Sequence, residues 1–254
     1  MGTPGRFVWH DLMTTDIERA QAFYTELLGW RIEVMDMGEM GPYPMIYAGE
    51  RGLGGMMAMP ADAGAPSHWI AYVTADDVGA AAARGDASGG ATCVPPTPIP
   101  NVGTFAVLTD PTGAAVSPFV SVHPDQPEDA GLPPAGTVCW NELLTTDAGA
   151  ALPFYTAVFG WGHGTMDMGP AGTYHLFKRD GKDVAGMMEL PAAALPRSLW
   201  VPYFAVADVD AEYARATAMG ASTHVPPQSI PGVGRFAMLA DPTGAVFSLF
   251  RGEG

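Results

Sequence analysis

The sequence repeats itself, and this repeat constrains the fold more than any other feature. Residues 7–119 align with residues 138–250 without a gap, at a constant offset of 131 positions. The best preserved blocks include Phe23-Tyr24-Thr25 and Asp110-Pro111-Thr112-Gly113, each of which recurs unchanged in the second copy. A chain of 254 residues is long enough for each copy to form its own core.

We therefore predict two domains of the same fold, spanning residues 1–121 and 137–254. The intervening segment, residues 122–136, is rich in Pro, Asp and Gly and is predicted to be a linker.

Within each copy, the hydrophobic pattern indicates a strand, a helix and three strands, and this βαβββ unit then recurs. A strand at Phe7–Leu12 precedes Asp16, a residue suited to cap a helix, and apolar residues at helical spacing continue to Gly29. The second copy departs at Pro153, where we expect the helix to begin late or to kink. The predicted fold class is α+β, with four βαβββ modules.

The loops of each copy carry turn signals near the end of the repeat. We predict a Pro-rich loop from Pro95 to Val102, followed by a strand at Phe105–Leu108. Asp110-Pro111-Thr112-Gly113 matches a type I turn, with Asp first, Pro second and Gly fourth. This turn joins the last two strands of the copy as a hairpin.

Charge and composition exclude several classes of partner. The formal net charge of −15 repels phosphate groups, so neither nucleic acid nor an anionic membrane is an expected partner. No apolar run approaches the roughly 18 residues of a membrane span, and no signal peptide pattern is present at the start. Two cysteines, Cys93 and Cys139, are too few for a disulfide framework. We expect a cytoplasmic protein.

The motifs now described resemble the vicinal oxygen chelate superfamily, which includes glyoxalase I, bleomycin-resistance proteins and extradiol dioxygenases. The resemblance rests on a first strand, a capping Asp16, a helix that ends in Phe-Tyr-x-x-x-x-Gly-Trp, and the late Asp-Pro-x-Gly hairpin. The tandem form is similar to fused bacterial chains of the glyoxalase-like or hydroxylase-like kind. The resemblance implies two glyoxalase/bleomycin-resistance-type domains, each a curled eight-stranded mixed sheet that encloses a ligand cup.

Family enzymes hold a divalent ion in this cup through His and Glu ligands on the first and last strands of the modules. The residues of this chain that match the ligand positions are of other types: Trp9, Ile70 and Ser117 in the first copy, and Trp140, Val201 and Ser248 in the second. Trp, Ile and Val offer no metal lone pair, and Ser is a poor ligand beside His or carboxylate. We therefore expect no metal and no other cofactor.

One alternative retains a divalent metal. His10 and His68 occupy matching places on the first strands of the two modules of the first copy, and Asp11 could add an oxygen ligand. Strand alternation places His10 on the face opposite Trp9 and Asp11, which argues against this site. The equivalent residues in the second copy are Asn141 and Leu199, so only the first copy could hold it.

The cups are predicted to have apolar walls and one carboxylate each, a mixture typical of small-molecule pockets. Asp11 and Glu142 are weak candidates for a general base, since burial raises the pKa of a carboxyl. Trp9, Phe23, Tyr24 and Trp30 could instead serve core packing, which is favoured for the last three. The predicted ligand-binding residues are Trp9, Asp11, Tyr43, Met56, Phe105, Ser117, Trp140, Glu142, Tyr174, Met187, Phe236 and Ser248.

These patterns favour a small-molecule-binding protein without the usual metal triad, whose ligand is an aromatic metabolite or antibiotic. The alternative is a metal-dependent enzyme, either a glyoxalase-like lyase or a dioxygenase- or hydroxylase-like oxidoreductase. The sequence leaves open whether the chain is an enzyme, and whether one cup or both are functional. It also leaves open whether the chain is a monomer with an internal pseudo-dimer or a homodimer.

Overall fold

The computed structural model describes residues 4–38, 41–60, 64–123, 133–169, 172–191 and 197–253. Most of the predicted linker, at residues 124–132, lies outside these ranges, and the proposed domain limits stay a prediction. The first copy contains β1 (Phe7–Thr14), α1 (Ile17–Leu28), β2 (Arg31–Asp36), β3 (Pro42–Ala48), β4 (Arg51–Ala58), β5 (His68–Thr74), α2 (Val78–Ala87), β6 (Ala91–Ile99), β7 (Gly103–Thr109) and β8 (Ala115–Ser121). The second contains β9 (Val138–Thr145), α3 (Ala148–Phe159), β10 (Gly162–Asp167), β11 (Thr173–Arg179), β12 (Lys182–Glu189), β13 (Leu199–Ala205), α4 (Val209–Ala218), β14 (Ser222–Ile230), β15 (Gly234–Ala240) and β16 (Val246–Gly252).

The strands form two eight-stranded mixed sheets, one from each copy. The strand order is β2-β3-β4-β1-β5-β8-β7-β6 in the first and β10-β11-β12-β9-β13-β16-β15-β14 in the second. Each βαβββ module contributes four consecutive strands to its sheet. In the first module, β1 and β4 run parallel, while β3 runs antiparallel to both β2 and β4. The predicted α+β class and the four βαβββ modules are therefore confirmed.

Each of the described helices begins at an aspartate that caps its free backbone amides. Asp16 Oδ1 accepts a hydrogen bond from the amide of Arg19 at 3.0 Å, and Asp77, Asp147 and Asp208 do the same at the starts of α2, α3 and α4. Gly29 closes α1 in the left-handed conformation, with φ of 68°. No described helix has the length and hydropathy to cross a bilayer.

The chain divides into two compact units, and each unit combines a module of one copy with a module of the other. The first unit comprises Met1–Trp9, Ile70–Glu128 and Trp140–Trp200, and the second comprises His10–Trp69, Asp129–Cys139 and Val201–Gly254. Each unit has one hydrophobic core. Helices α2 and α3 pack in the first core, and helices α1 and α4 pack in the second.

The aromatic residues assigned to packing lie in these cores. Phe23, Tyr24 and Trp30 are nearly inaccessible to solvent and belong to the core of the second unit. The Trp30 ring stacks on Tyr24, with centroids 5.0 Å apart, and its indole Nε1 donates to the carbonyl of Gly136 at 2.7 Å. The packing interpretation of these three residues is confirmed.

Two predictions made from proline meet the structure differently. Helix α3 begins at Ala148, the residue equivalent to the first residue of α1, so Pro153 does not delay its start, and the alternative of a kink stays a prediction. The segment predicted as a Pro-rich loop is mostly strand, because β6 continues through Pro95, Pro96 and Pro98 to Ile99. Strand β6 lies at the end of its sheet, where the missing amide hydrogen of proline removes no ladder bond on the outer side.

The predicted Asp-Pro-Thr-Gly turn is present. The amide of Gly113 donates to the carbonyl of Asp110 at 3.0 Å, and the Asp110 carboxylate accepts from the backbone amides of Thr112 and Ala114. Its second oxygen accepts from the hydroxyl of Tyr155 at 3.0 Å. Asp110 is therefore a buried structural residue that ties the β7–β8 turn to helix α3.

Candidate functional site

The pairing of β1 with β4 decides which side chains share a face of the sheet. Asp11 is the register partner of Gly55, and Leu12 is the partner of Met56. Leu12 and Met56 belong to the hydrophobic core. Because alternate residues of a strand point to opposite faces, Trp9 and Asp11 lie on the face away from this core, and His10 lies on the core side.

A carboxylate and a phenol meet on the face of β1 that carries Asp11. The hydroxyl of Tyr43 on β3 donates to Asp11 Oδ1 at 2.5 Å, and Asp11 is only 3% exposed. Beneath the phenol lies Gly55 of β4, on which a Cβ atom would stand 2.0 Å from Tyr43 Cζ. The absence of a side chain at Gly55 therefore allows the Tyr43 ring to reach the carboxylate.

The second copy builds a matching pair with one addition. Tyr174 donates to the Glu142 carboxylate and accepts a hydrogen bond from the Trp140 indole Nε1 at 3.0 Å. A Cβ on Gly186 would stand 1.8 Å from the Tyr174 hydroxyl oxygen. Burial, and then the negative charge of Glu142, raise the pKa of Tyr174 well above that of a free tyrosine. We call Asp11–Tyr43 and Glu142–Tyr174 the acid–phenol pairs.

The methionines of this face differ from those predicted. Met56 and Met187 are buried among core side chains, Met56 beside Leu12 and Met187 in the core of the first unit, so their assignment to a ligand pocket was wrong. Alternation places the neighbouring Met57 and Met188 on the face of the acid–phenol pairs. Met57 is 40% exposed, and its thioether is thus available to a ligand.

The other predicted residues form aromatic groups within each unit. Phe105 packs against Tyr72 with centroids 6.0 Å apart, and Tyr72 contacts Phe119 at 6.1 Å. Ser117 shares this face as the register partner of Tyr72, and its hydroxyl donates to the carbonyl of Ala106 at 2.7 Å. The second copy repeats the group, in that Tyr203 contacts both Phe236 and Phe250 and pairs in register with Ser248.

The residues at the family's metal-ligand positions do not fit a divalent ion. Ser117 donates to a backbone carbonyl, Ser248 is fully buried, and a Ser hydroxyl is a poor ligand beside His or carboxylate. The indoles of Trp9 and Trp140 and the alkyl chains of Ile70 and Val201 have no lone pair to give. Within the described ranges, no group of three or more His, Cys, Asp or Glu side chains is arranged to hold a metal ion. The alternative ligand His10 is 7% exposed, and Nδ1 of His68 lies 2.8 Å from the carbonyl of Pro66.

Sequence reasoning found Tyr43 and Tyr174 but missed two glycines and two further tyrosines of these faces. Gly55 and Gly186 determine where the phenols lie, and Tyr72 and Tyr203 are the central rings of the aromatic groups. A glycine in the interior of a strand often marks the close approach of another group, so the Gly-Met-Met pattern carried this signal. The contact between Asp11 and Tyr43 depends on strand register, which has no local signal in the sequence.

A cavity of about 310 Å³ lies elsewhere, in the first unit. Thr74, Asp76 and Arg84 line it together with the end of α3, and none of the predicted ligand-binding residues reaches it. The guanidinium of Arg84 is engaged there, since it donates to the carbonyls of Ala157 and Val158 at 2.8 and 3.0 Å. The polar chemistry of the acid–phenol pairs makes them the better candidate site.

Chemically, each acid–phenol pair is a buried carboxylate that accepts a hydrogen bond from a phenol, since Asp11 is 3% and Glu142 6% exposed. A carboxylate has about four acceptor positions, and the phenol uses one of them. The phenol fixes the orientation of the carboxylate. Trp140 in the second copy adds an aromatic wall whose polar edge is already bonded to Tyr174.

Family models match the second copy and the start of the first copy. The family model for the Glyoxalase/Bleomycin resistance protein/Dioxygenase superfamily matches residues 137–249, and the model for the bleomycin resistance protein-like N-terminal domain matches residues 6–41. The protein named "Putative glyoxylase CFP32" of Mycobacterium tuberculosis is 39% identical over 254 residues, which cover 98% of this chain and 95% of that protein. The "Anthracycline biosynthesis protein DnrV" of Streptomyces peucetius is 32% identical over 260 residues, covering 97% and 93%.

Solved structures agree in fold at low sequence identity. The Mn(II)-bound glyoxalase from Novosphingobium aromaticivorans aligns with a TM-score of 0.65 and 16% identity, covering 98% of this chain and 82% of that chain. The 2,3-dioxygenase LapB from Pseudomonas sp. KL28 aligns with a TM-score of 0.62 and 15% identity, covering 99% and 94%. The chain belongs to the vicinal oxygen chelate superfamily, which the glyoxalases, bleomycin-resistance proteins and extradiol dioxygenases share.

Proposed function

We propose that this protein binds a small aromatic molecule at the faces that carry the acid–phenol pairs, without a metal ion at the family's usual position. The observation that carries the proposal is the bond from Tyr43 to the buried Asp11 carboxylate, repeated by Tyr174 and Glu142. Buried carboxylates are costly unless they are hydrogen-bonded, and a packed apolar residue at Asp11 would avoid that cost. A buried carboxylate at this position is suited to accept a hydrogen bond from a hydroxyl or amine of a ligand.

The ligand class follows from the neighbouring side chains. Met45 of β3 and Met57 of β4 share the face of the Tyr43 ring. Thioethers adapt to irregular apolar shapes, and aromatic rings stack on flat ones. A flat ring system that carries a hydroxyl or amine matches this mixture. The anthracycline named in one relative is a suitable first probe.

The carboxylates could also act in chemistry without a metal, with Asp11 or Glu142 as a general base. Such a base must reach the proton that it abstracts, and each acid–phenol pair already holds its carboxylate in one orientation. We keep this role as a second proposal, tested by the rates of Asp11→Asn and Glu142→Gln variants. Unchanged rates in both variants would remove it.

Calorimetry against a panel of aromatic natural products, an anthracycline among them, tests the binding proposal. We expect Tyr43→Phe and Tyr174→Phe each to weaken binding at the altered face by about tenfold, because a hydrogen bond to a charged group contributes about 1.5 kcal/mol or more. Tyr213→Phe is the control, since Tyr213 lies on α4 and its exposed hydroxyl contact with Thr223 of β14 involves neither acid–phenol pair.

The same preparations distinguish the enzyme alternative. Binding of no compound in the panel would contradict the proposal. Stoichiometric nickel, zinc, iron or manganese in purified protein that is lost on His10→Ala or His68→Ala would favour a metal-dependent lyase or oxygenase in its place.

A further inference from the structure

Two histidines of the second copy meet on the outer strands of its sheet, away from the acid–phenol pairs. His163 lies on β10 and His175 on β11, and His163 Nε2 stands 3.0 Å from His175 Nδ1. The two rings are nearly parallel, with centroids 5.2 Å apart and 20° between their planes. His163 is exposed and His175 is half-buried, so a solute ion can reach the nitrogen atoms.

Strand register places this pair on the face opposite the candidate ligand site. His175 is the register partner of Met187, which belongs to the core of the first unit, and its neighbour Tyr174 points to the other face. A site at these histidines is therefore independent of the function proposed for Glu142 and Tyr174.

A carboxylate accompanies the histidines on the same face. Glu189 lies two residues beyond Met187 on β12, and its negative charge acts on the His175 ring. One Glu189 oxygen accepts a hydrogen bond from the amide of Ala148 at 2.8 Å, which fixes the carboxylate at the start of α3. Burial and the neighbouring His163 lower the pKa of His175, and the neutral ring is the form that binds metals.

The first copy contains none of these groups. The residues equivalent to His163, His175 and Glu189 are Ile32, Pro44 and Ala58. Three residues of metal-binding type thus occur together in one copy, where the other copy has three apolar residues. Packing of the sheet does not require this change, since the equivalent strands of the first copy form the same ladder.

We propose that His163 and His175 form a two-histidine site for a divalent late transition-metal ion, preferring copper(II) over zinc(II). Nitrogen ligands at about 2.05 Å from an ion stand about 2.9 Å apart in cis positions of a square plane and about 3.3 Å apart in a tetrahedron. The hydrogen-bonded separation of 3.0 Å is close to both values, and copper(II) is preferred because it binds imidazole more tightly than the other divalent ions of its row. Water completes the coordination, and Glu189 contributes negative charge from the side.

Binding needs only a small local change. The ring that now donates its N–H to the other takes its second tautomer, so that both facing nitrogens present lone pairs to the ion. Both side chains lie on outer strands, where they can turn without disturbing the core.

Calorimetric titration of the untagged full chain with nickel(II), copper(II) and zinc(II) chloride tests the site. We expect one equivalent of copper bound, with zinc at least tenfold weaker. His163→Gln and His175→Gln should each weaken copper binding at least tenfold. Glu189→Gln should weaken it only a few-fold, because the Gln oxygen still accepts the hydrogen bond from the amide of Ala148 and only the negative charge is lost.

His224→Gln is the matched control, because His224 lies on β14, an outer strand at the far end of the same sheet. Equal copper affinity in the wild-type chain and in a His163→Gln/His175→Gln double variant would overturn the proposal. Circular dichroism of each variant verifies that a loss of binding does not come from unfolding.

Discussion

The phenol of each acid–phenol pair occupies the space that a side chain would need at a glycine of the adjacent strand. At Gly186 a methyl group would overlap the Tyr174 ring, and at Gly55 it would overlap the Tyr43 ring. The hydrogen bond from phenol to carboxylate therefore requires that the residue beneath the phenol be a glycine. This dependence is a residue-scale property that can be tested without knowledge of the ligand.

Gly186→Ala should displace Tyr174 and destabilise the fold by about 1–3 kcal/mol, the usual cost of overpacking. The free energy of unfolding in urea measures the effect, and the ligand affinity of this face should fall with it. Gly162→Ala, on β10, is the control, because a Cβ there would meet Lys178 at an ordinary 3.7 Å. Equal stability of the two variants would contradict the overlap.

Buried tyrosines make the protein sensitive to high pH. Burial raises the pKa of Tyr24, Tyr155 and Tyr174, with further increases from Asp241, Asp110 and Glu142 respectively. The unfolded chain releases these protons near pH 10 while the folded chain retains them, so stability is complete below pH 10 and falls as the pH rises further.

Ultraviolet titration of the phenols should accordingly show a group of tyrosines that ionise only as the protein unfolds. Tyr174→Phe should reduce this group by one and lessen the loss of stability above pH 10. Ionisation of all tyrosines near pH 10 in the folded protein would show that the burial is not maintained in solution.

At the scale of elements, helix α3 tolerates a proline that its counterpart lacks. Pro153 is the sixth residue of α3, and Ala22 occupies the equivalent place in α1. Both side chains are exposed, so the effect of the two residues on stability comes mostly from the backbone. Proline removes the amide that would bond to the carbonyl four residues earlier, and its ring crowds that carbonyl.

Pro153→Ala should therefore stabilise the protein by about 1–3 kcal/mol, and Ala22→Pro should destabilise it by about 3 kcal/mol. Chemical denaturation of both variants beside the wild-type chain measures the two effects. A stabilising effect of Ala22→Pro would contradict the position of Ala22 in the interior of helix α1.

The order of the elements could be predicted from the sequence because caps, turns and periodicity are local. Asp16 and Gly29 mark both ends of α1, and Asp110 and Gly113 mark the last hairpin. The course of β6 through its prolines could not be predicted, because it depends on β6 lying at a sheet edge.

The site was predicted less completely than the fold. Alternation identified Asp11 and Trp9 as sharing a face, but it could not decide between Met56 and Met57. That choice depends on the register of β4 against β1 and on the position of the helices, which are both long-range properties. The contact of Tyr43 with Asp11 likewise depends on strand register and could not be predicted from the sequence.

For the whole molecule, the most consequential feature is that neither copy holds a complete core. The core with α2 and α3 uses Leu108 and Val116 of the first copy together with Phe154 and Trp200 of the second. The core with α1 and α4 likewise draws on both copies. Each copy therefore depends on the other for burial of its helices.

A fragment of residues 1–121 should accordingly fail to fold as a monomer, since it exposes half of two cores. It should instead associate with a second copy of itself or aggregate. Light scattering with size-exclusion chromatography measures the state of the fragment, and the same measurement on residues 133–254 is the companion experiment. A stable monomeric fragment with native helix content would contradict this view.

The shared cores also bear on how the two copies can diverge. At Gly90 a Cβ would stand 2.4 Å from Phe154 Cε2, whereas the equivalent Ala221 already has its methyl group in the core that holds Phe23. A substitution in one copy is thus tolerated or rejected by its neighbours in the other copy. Suppressor mutations for a damaged helix should map to the opposite half of the gene, and mutational drift in the two halves should be correlated rather than independent.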